Sequence, residues 1–393
     1  VRLLLVDGHY YVYRSFFAIR DLTNSRGEPT NAIYGFTKTL RRMVKDLQPD
    51  LGAVVWDMGL PQRRTALQPE YKQQRAEMPD TMRPQLDFIQ KQIAPLLGFQ
   101  SLGLPDTEAD DLMASYALAA VAKKIDVVLA TNDKDLFQLV GDGVKVYSTN
   151  KTDLASPEQG FALLGGDFVV QKWGIPPAQI GEVLCLVGDS ADNIPGVNGL
   201  GPKTAAALLR EFGSLDALLE NSDRIKNERI REKIKSARDQ ILQNREMVRL
   251  DLDLPLPVAL DGLKIRPRHS ELVSVLERCE FKSLSGSQKR SSTSRAARAR
   301  TRAGRTFLKP KNEKNIRPPR GAHARRTRCA GPRARSGHSA GAGLWPRKNS
   351  GGRVSKQIQN GGRTLGAFAG IKQRAEGEHG RQAEVPGGAQ GQR

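Results

Sequence analysis

Acidic residues stand where apolar runs end. Leu3-Leu4-Leu5-Val6 runs into Asp7, Gly52-Ala53-Val54-Val55-Trp56 into Asp57, and Val127-Val128-Leu129-Ala130-Thr131 leads to Asp133 and Asp135. Two further clusters stand apart from such runs, Glu108-Ala109-Asp110-Asp111 and Asp189-Ser190-Ala191-Asp192. Short continuous apolar runs read as strands buried on both faces of a parallel sheet, and ligands of such sheets bind beyond the strands' carboxyl ends. Nine acids (Asp7, Asp57, Glu108, Asp110, Asp111, Asp133, Asp135, Asp189 and Asp192) meeting there would repel one another unless positive charge sat among them. Hard divalent cations with oxygen ligands answer that need, so the set reads as a site for two Mg²⁺ or Mn²⁺ ions.

Two such ions about 3.5–4 Å apart suit phosphoryl hydrolysis, one helping to generate the attacking hydroxide and both offsetting charge on the scissile phosphate. Zinc chemistry is disfavoured, because the five histidines form no pair at ligand spacing. Cys185, Cys279 and Cys329 show no paired spacing, which argues against a disulfide framework and suits a reducing cytoplasm. No apolar stretch is long enough to span a bilayer, and no secretory signal core precedes Asp7.

The elements needed to position these acids read as α/β. Residues 1–180 alternate strand-like and helix-like segments and predict a parallel central sheet flanked by helices. Helices are expected over His9–Ile19 and Asn31–Leu47, the second capped by Asn31, and after Thr107, which would cap a helix carrying Glu108, Asp110 and Asp111 in its first turn. Residues 58–81 form a polar excursion with three prolines and four basic residues, long for a compact domain. From 181 to 284 the period is helical: Ile180–Val187, a glycine-punctuated turn, Pro202–Phe212, a long solvated helix over 224–249, a strand-like or extended stretch over Leu250–Leu263, and a last helix over Glu271–Phe281.

The formal net charge of +20 belongs to the end of the chain. Residues 285–393 hold 26 Lys and Arg against four Glu and no Asp, which leaves 36 basic and 38 acidic residues over 1–284. The globular part is therefore nearly neutral, and an argument for nucleic acid must rest on local patches. The tail is Arg/Gly/Ser-rich and lacks the apolar content to fold alone. Three readings of it stand: a basic arm gripping nucleic acid, a generic disordered tail, or out-of-frame translation of a GC-rich gene.

With Leu4-Leu5-Val6-Asp7-Gly8-His9, Ser25-Arg26-Gly27-Glu28-Pro29, Ala32-Ile33-Tyr34-Gly35-Phe36, Glu108-Ala109-Asp110-Asp111, Thr131-Asn132-Asp133-Lys134-Asp135-Leu136 and Gly188-Asp189-Ser190-Ala191-Asp192-Asn193-Ile194-Pro195-Gly196, the chain from Val1 to Leu284 resembles the 5′-nuclease (flap endonuclease) domain of bacterial DNA polymerase I. The resemblance implies a PIN-like nuclease domain over 1–180 and a helix–turn–helix-type DNA-binding subdomain over 181–284. It implies Asp7, Asp57, Glu108, Asp110 and Asp111 around one metal, and Asp133, Asp135, Asp189 and Asp192 around the other. Tyr71-Lys72-x-x-Arg75 matches the helical arch of the family, where Lys72 and Arg75 would act on the scissile phosphate together with the metal-holding Asp7 and Asp57. Arg14, Arg64 and Tyr71 are further DNA-contact candidates, and Tyr10 a base-stacking one, whereas Tyr13 reads as core. The turn Gly199-Leu200-Gly201 with Lys203 and Thr204 would bind the duplex backbone, and the family implies a monovalent cation such as K⁺ there.

The expected partner is DNA with a 5′ flap, a nick or a single-strand/duplex junction, cut by a monomeric cytoplasmic enzyme. Two other readings compete. A PIN-type endoribonuclease would have the strand-end acids without the helical half, and a non-catalytic junction binder would be free to lose acids while keeping the glycine turn. The proofreading-like and polymerase domains that follow this domain in polymerase I are not visible in the sequence.

Overall fold

The computed structural model describes residues 1–155 and 160–284; the readings of the tail lie outside the described residues. Six strands, β1 (Arg2–Asp7), β2 (Leu51–Val55), β3 (Gln100–Leu102), β4 (Asp126–Ala130), β5 (Val144–Ser148) and β6 (Ala162–Leu164), form one sheet in the order β3-β2-β1-β4-β5-β6. All neighbours pair in parallel except β6, which closes the β5 edge antiparallel. The helices are α1 (Gly8–Ala18), α2 (Asn31–Leu47), α3 (Gln62–Leu67), α4 (Arg83–Phe88), α5 (Ala94–Leu96), α6 (Ala109–Ala122), α7 (Gly166–Trp173), α8 (Ile180–Val187), α9 (Pro202–Phe212), α10 (Leu215–Glu220), α11 (Glu228–Ser236), α12 (Arg238–Val248) and α13 (His269–Arg278). A π-helical turn over Ile89–Ile93 joins α4 to α5.

The central strands are apolar throughout because both faces are covered. Leu3, Leu5, Val55 and Leu129 share one cluster with residues of α6, α8, α9, α10 and α12, whereas the intervening Leu4, Val6, Val54 and Val128 share another with α1, α2 and α13. The period of two thus survives inside an unbroken apolar run. The first cluster continues without interruption from the sheet into the helical half. From β1 the chain moves outward to β2 and β3, then returns to lay β4 on the other side of β1. The β1/β4 boundary is therefore the topological switch point, and Asp7 and Thr131 follow its two strands.

Several local expectations are corrected. Thr30, not Asn31, precedes α2; Asn31 is buried and its side-chain amide donates to the Phe16 and Ile19 carbonyls, tying α2 to the end of α1. Glu108, not Thr107, is the boundary residue of α6, and the first free N–H of that helix, on Ala109, donates to Asp57 Oδ1 at 2.8 Å. A residue distant in sequence does the capping, so spacing could not reveal it. The long helix over 224–249 is two helices broken at Ala237. Leu250–Leu263 makes no strand; Leu254 N–H and Val258 N–H donate instead to Ser115 Oγ and Tyr116 Oη on α6. Strands β5 and β6 and helix α7 were not foreseen as elements.

The loop after α8 is closed by reciprocal backbone bonds between Asp189 and Ile194, both 2.8 Å. It then folds back so closely that a Cβ on Gly196 would lie 2.1 Å from the Val187 carbonyl oxygen. Backbone cannot retreat as a side chain can. Gly196→Ala is expected to destabilise the protein by about 3 kcal/mol, the upper end of overpacking costs, read as a lower urea midpoint with unchanged m value.

Candidate functional site

The acids meet at the rim that the topology selects. Asp7 ends β1 and turns the chain into α1, accepting from Tyr10 N–H (3.0 Å) and from the Thr131 hydroxyl (3.0 Å), which follows β4. Burial, then the neighbouring Asp57 charge, push the Asp7 carboxyl up to about 7. Asp57, beyond β2, accepts Ala109 N–H, while its own N–H donates to His9 Nδ1 at 3.2 Å. With Nδ1 so used as an acceptor and the ring largely buried, His9 is held below the ordinary histidine range despite the Asp57 charge.

The remaining acids form two groups in which one oxygen per residue lies within 4.8 Å of the others: Glu108, Asp110 and Asp111 at the start of α6, and Asp135, Asp189 and Asp192 between the β4 loop and the α8 loop. Asp133 adjoins the second group. Its Oδ1 accepts Asp135 N–H at 2.8 Å, and burial, then Asp135 and Asp192, push it up to about 7. Lys72 stands at the middle. Its ammonium pairs with Glu108 and lies 3.5 Å from Asp192 Oδ2, and its charge is felt at Asp7, Asp110 and Asp133. Asp192 illustrates the balance: burial opposes its charge, but Lys72, Arg75 and Lys134 outweigh burial and hold its pKa below the usual value. At Asp110 the balance falls the other way: burial, then Asp111, outweigh the Arg64 and Lys72 charges and raise it well above the usual carboxylate value.

The donor set is all carboxylate oxygen, with no cysteine or histidine in either group, and suits hard divalent cations. Each of the two groups would offer its carboxylate oxygens to such an ion.

The basic residues are placed less uniformly. Residues 69–75 form successive turns rather than a helical arch, and they bind the α8 loop: Lys72 N–H donates to the Asp192 carbonyl (3.2 Å), Gln74 Nε2 to the Ser190 carbonyl (3.1 Å), and Arg75 Nη2 to Asp192 Oδ1 (2.5 Å). Tyr71 is buried with its hydroxyl 3.1 Å from Glu108 Oε2 and 3.3 Å from Asp192 Oδ2, so it faces the acids and offers no open face for a base. Arg64 is 2% exposed and pairs with Glu108 and Asp111, a correction to its placement as a DNA contact. Arg14 is exposed beside Tyr10 and Thr149. Gly201 precedes α9, with Lys203 exposed and Thr204 half-buried, while Gly199 adopts φ +72°. Lys233 on α11 reaches this turn and donates to the Asn198 carbonyl at 2.8 Å.

Sequence reasoning gave no role to Thr131, His9, Lys134 or Lys233. His9, Thr131 and Lys134, the last paired with Asp189, lie inside quoted motifs; Lys233 leaves no signal beyond proximity in space.

Residues 2–174 match the family model for the 5′-3′ exonuclease N-terminal resolvase-like domain, and residues 175–271 that for the 5′-3′ exonuclease C-terminal SAM fold. The acid-rimmed sheet and the helices packed on it thus define a nuclease architecture of two joined parts. The chain belongs to the 5′-3′ exonuclease family. It is 37% identical over 283 residues to a 5′-3′ exonuclease of Aquifex aeolicus, covering 72% of this chain and 93% of that protein. It is 42% identical over 283 residues to the thermostable DNA polymerase I of Thermus thermophilus, again over 72% of this chain, and spans about a third (32%) of that polymerase's length. In fold it resembles the bacteriophage T5 flap endonuclease solved with DNA and metal ions, at a TM-score of 0.52 and 21% identity, over 64% of this chain and 90% of the other. No helix among the described residues is long and apolar enough to cross a membrane.

The two raised carboxyls give a pH signature. A folded-state pKa near 7 against 3.8 means that ionising Asp133 works against the fold: its penalty is absent below about pH 4, grows as pH rises, and is complete above about pH 7. In EDTA at pH 8, Asp133→Asn is therefore expected to raise Tm by about 3 °C or more, and the gain should vanish by pH 4. A gain independent of pH in differential scanning calorimetry would refute the assignment.

Proposed function

We propose that the chain is a metal-dependent 5′-nuclease that hydrolyses DNA phosphodiesters near a single-strand/duplex junction. The observation that carries this reading is the convergence of nine carboxylates from separate segments on one rim, with Lys72 and Arg75 set among them. Mg²⁺ or Mn²⁺ held there would lower the pKa of water and offset phosphate charge. The chain's own contribution is positional. Lys72 and Arg75 present positive charge at the edge of the carboxylates, where a scissile phosphate would approach. The exposed start of α9, with Gly201 and Lys203, offers N–H groups and a cation to the duplex backbone without reading sequence.

A monovalent ion such as K⁺ at the Gly199–Gly201 turn would share it with the Lys233 ammonium already on the Asn198 carbonyl. Monomeric action on 5′ flaps or nicks in the cytoplasm completes the proposal. The helical half speaks against a minimal PIN-type ribonuclease, and the full acid set against a binder without catalysis.

The test compares a 5′-flap DNA with a single-stranded RNA in Mg²⁺, with an EDTA control. Cutting of the flap in Mg²⁺ alone is expected. Asp57→Asn should reduce cleavage by more than about a hundredfold, beyond the usual effect of losing a supporting group, while flap binding in a gel-shift assay persists. Full activity of Asp57→Asn would overturn the proposal, and preference for the RNA would favour the ribonuclease reading.

A further inference from the structure

We infer that Arg64 is a positioning residue that holds Glu108 in place from the helical half of the protein, and that Asp111 is its anchor and not a metal ligand. The inference rests on the nuclease reading only in taking Glu108 and Asp110 to face a divalent ion.

Arg64 uses all five of its N–H donors. Nε donates to the Met247 carbonyl (3.1 Å), Nη1 to Glu108 Oε2 and to Asp111 Oδ2 (2.8 Å), and Nη2 to Asp111 Oδ1 (2.9 Å) and the Arg249 carbonyl (3.0 Å). Two of these bonds form the parallel fork that only a guanidinium makes with a carboxylate. The two carbonyls lie at the end of α12, where a helix directs its partial negative charge. Arg63 strengthens the same junction through the Glu246 and Arg249 carbonyls and Asp251 Oδ1.

Asp111 is fully buried, and its two oxygens are already claimed by the Arg64 fork and by Asp251 N–H at 2.9 Å. Asp110, its neighbour, makes no such pair; its Oδ1 accepts only the Asp111 N–H, at 2.9 Å, among the hydrogen bonds of the described residues. Adjacent residues on α6 thus divide two tasks. Asp111 ties the helix start to Arg64 and residue 251, and Asp110 is left to the ion. Glu108 shares the Nη1 group with Asp111, so its rotamer depends on the same guanidinium.

Mn²⁺ binding to the full chain, measured by titration calorimetry, tests this. Arg64→Lys keeps the charge but loses the fork, and should weaken Mn²⁺ binding by about tenfold or more with an unchanged far-UV spectrum. Asp110→Asn and Asp111→Asn should separate. The first should weaken Mn²⁺ binding while Tm in EDTA holds or rises, and the second should lower Tm in EDTA by leaving Arg64 buried without its partner. Wild-type Mn²⁺ affinity in Arg64→Lys overturns the positioning role. Should Arg64→Lys fail to fold, the asparagine pair decides alone: Asp111→Asn with unchanged Tm and the larger loss of Mn²⁺ overturns the inference. A wild-type chain that binds no Mn²⁺ would instead overturn the nuclease reading.

Discussion

Mutual repulsion among buried carboxylates is the constraint around which the structure is arranged. Asp7 and Asp133 are driven toward neutrality by burial and by other acids, while Asp192 stays ionised because Lys72, Arg75 and Lys134 surround it. The excursion after β2 exists in that light as a carrier of positive charge. It delivers Arg64, Lys72 and Arg75 to Glu108 and Asp192 of the cluster, and Lys72 takes an uncommon positive φ of 60° to do so. The parallel sheet makes the concentration of charge attainable, because its switch point gathers loop ends that are distant in sequence.

Strands β1, β2 and β4 were legible because they are almost wholly buried and hence monotonously apolar, each leading to an acid. Helix α2 was legible down to its bounds, Asn31–Leu47, from a 3.6-residue apolar pattern. What escaped reading depended on distant partners. Asn31 looked like a cap and is a tether to α1, and the cap of α6 comes from Asp57. Strand β6 has three residues and sits at the sheet edge, and the exposed Lys145 interrupts the apolar run of β5 beside it.

Among the site residues, acids were easier to find than bases. A carboxylate after an apolar run carries its position with it, whereas a basic residue in a polar excursion reads the same whether it faces solvent or the interior. Arg63 and Arg64 are adjacent in one short helix, yet the second is almost wholly enclosed. Its destination was set by carbonyls at the end of α12, more than a hundred residues later in the chain. Burial of that kind is a tertiary outcome with no local trace.

The unbroken apolar cluster that runs from the sheet into the helices has a bearing on inheritance. The two family models divide the chain near residue 174, yet side chains on both sides of that line enclose the same interior, and acids from both sides complete the same rim. A recombination event at that line would strand half of an interior and half of a charge cluster on each product. Evolutionary transfer of this architecture between longer polypeptides must therefore carry both parts together, as one indivisible cassette.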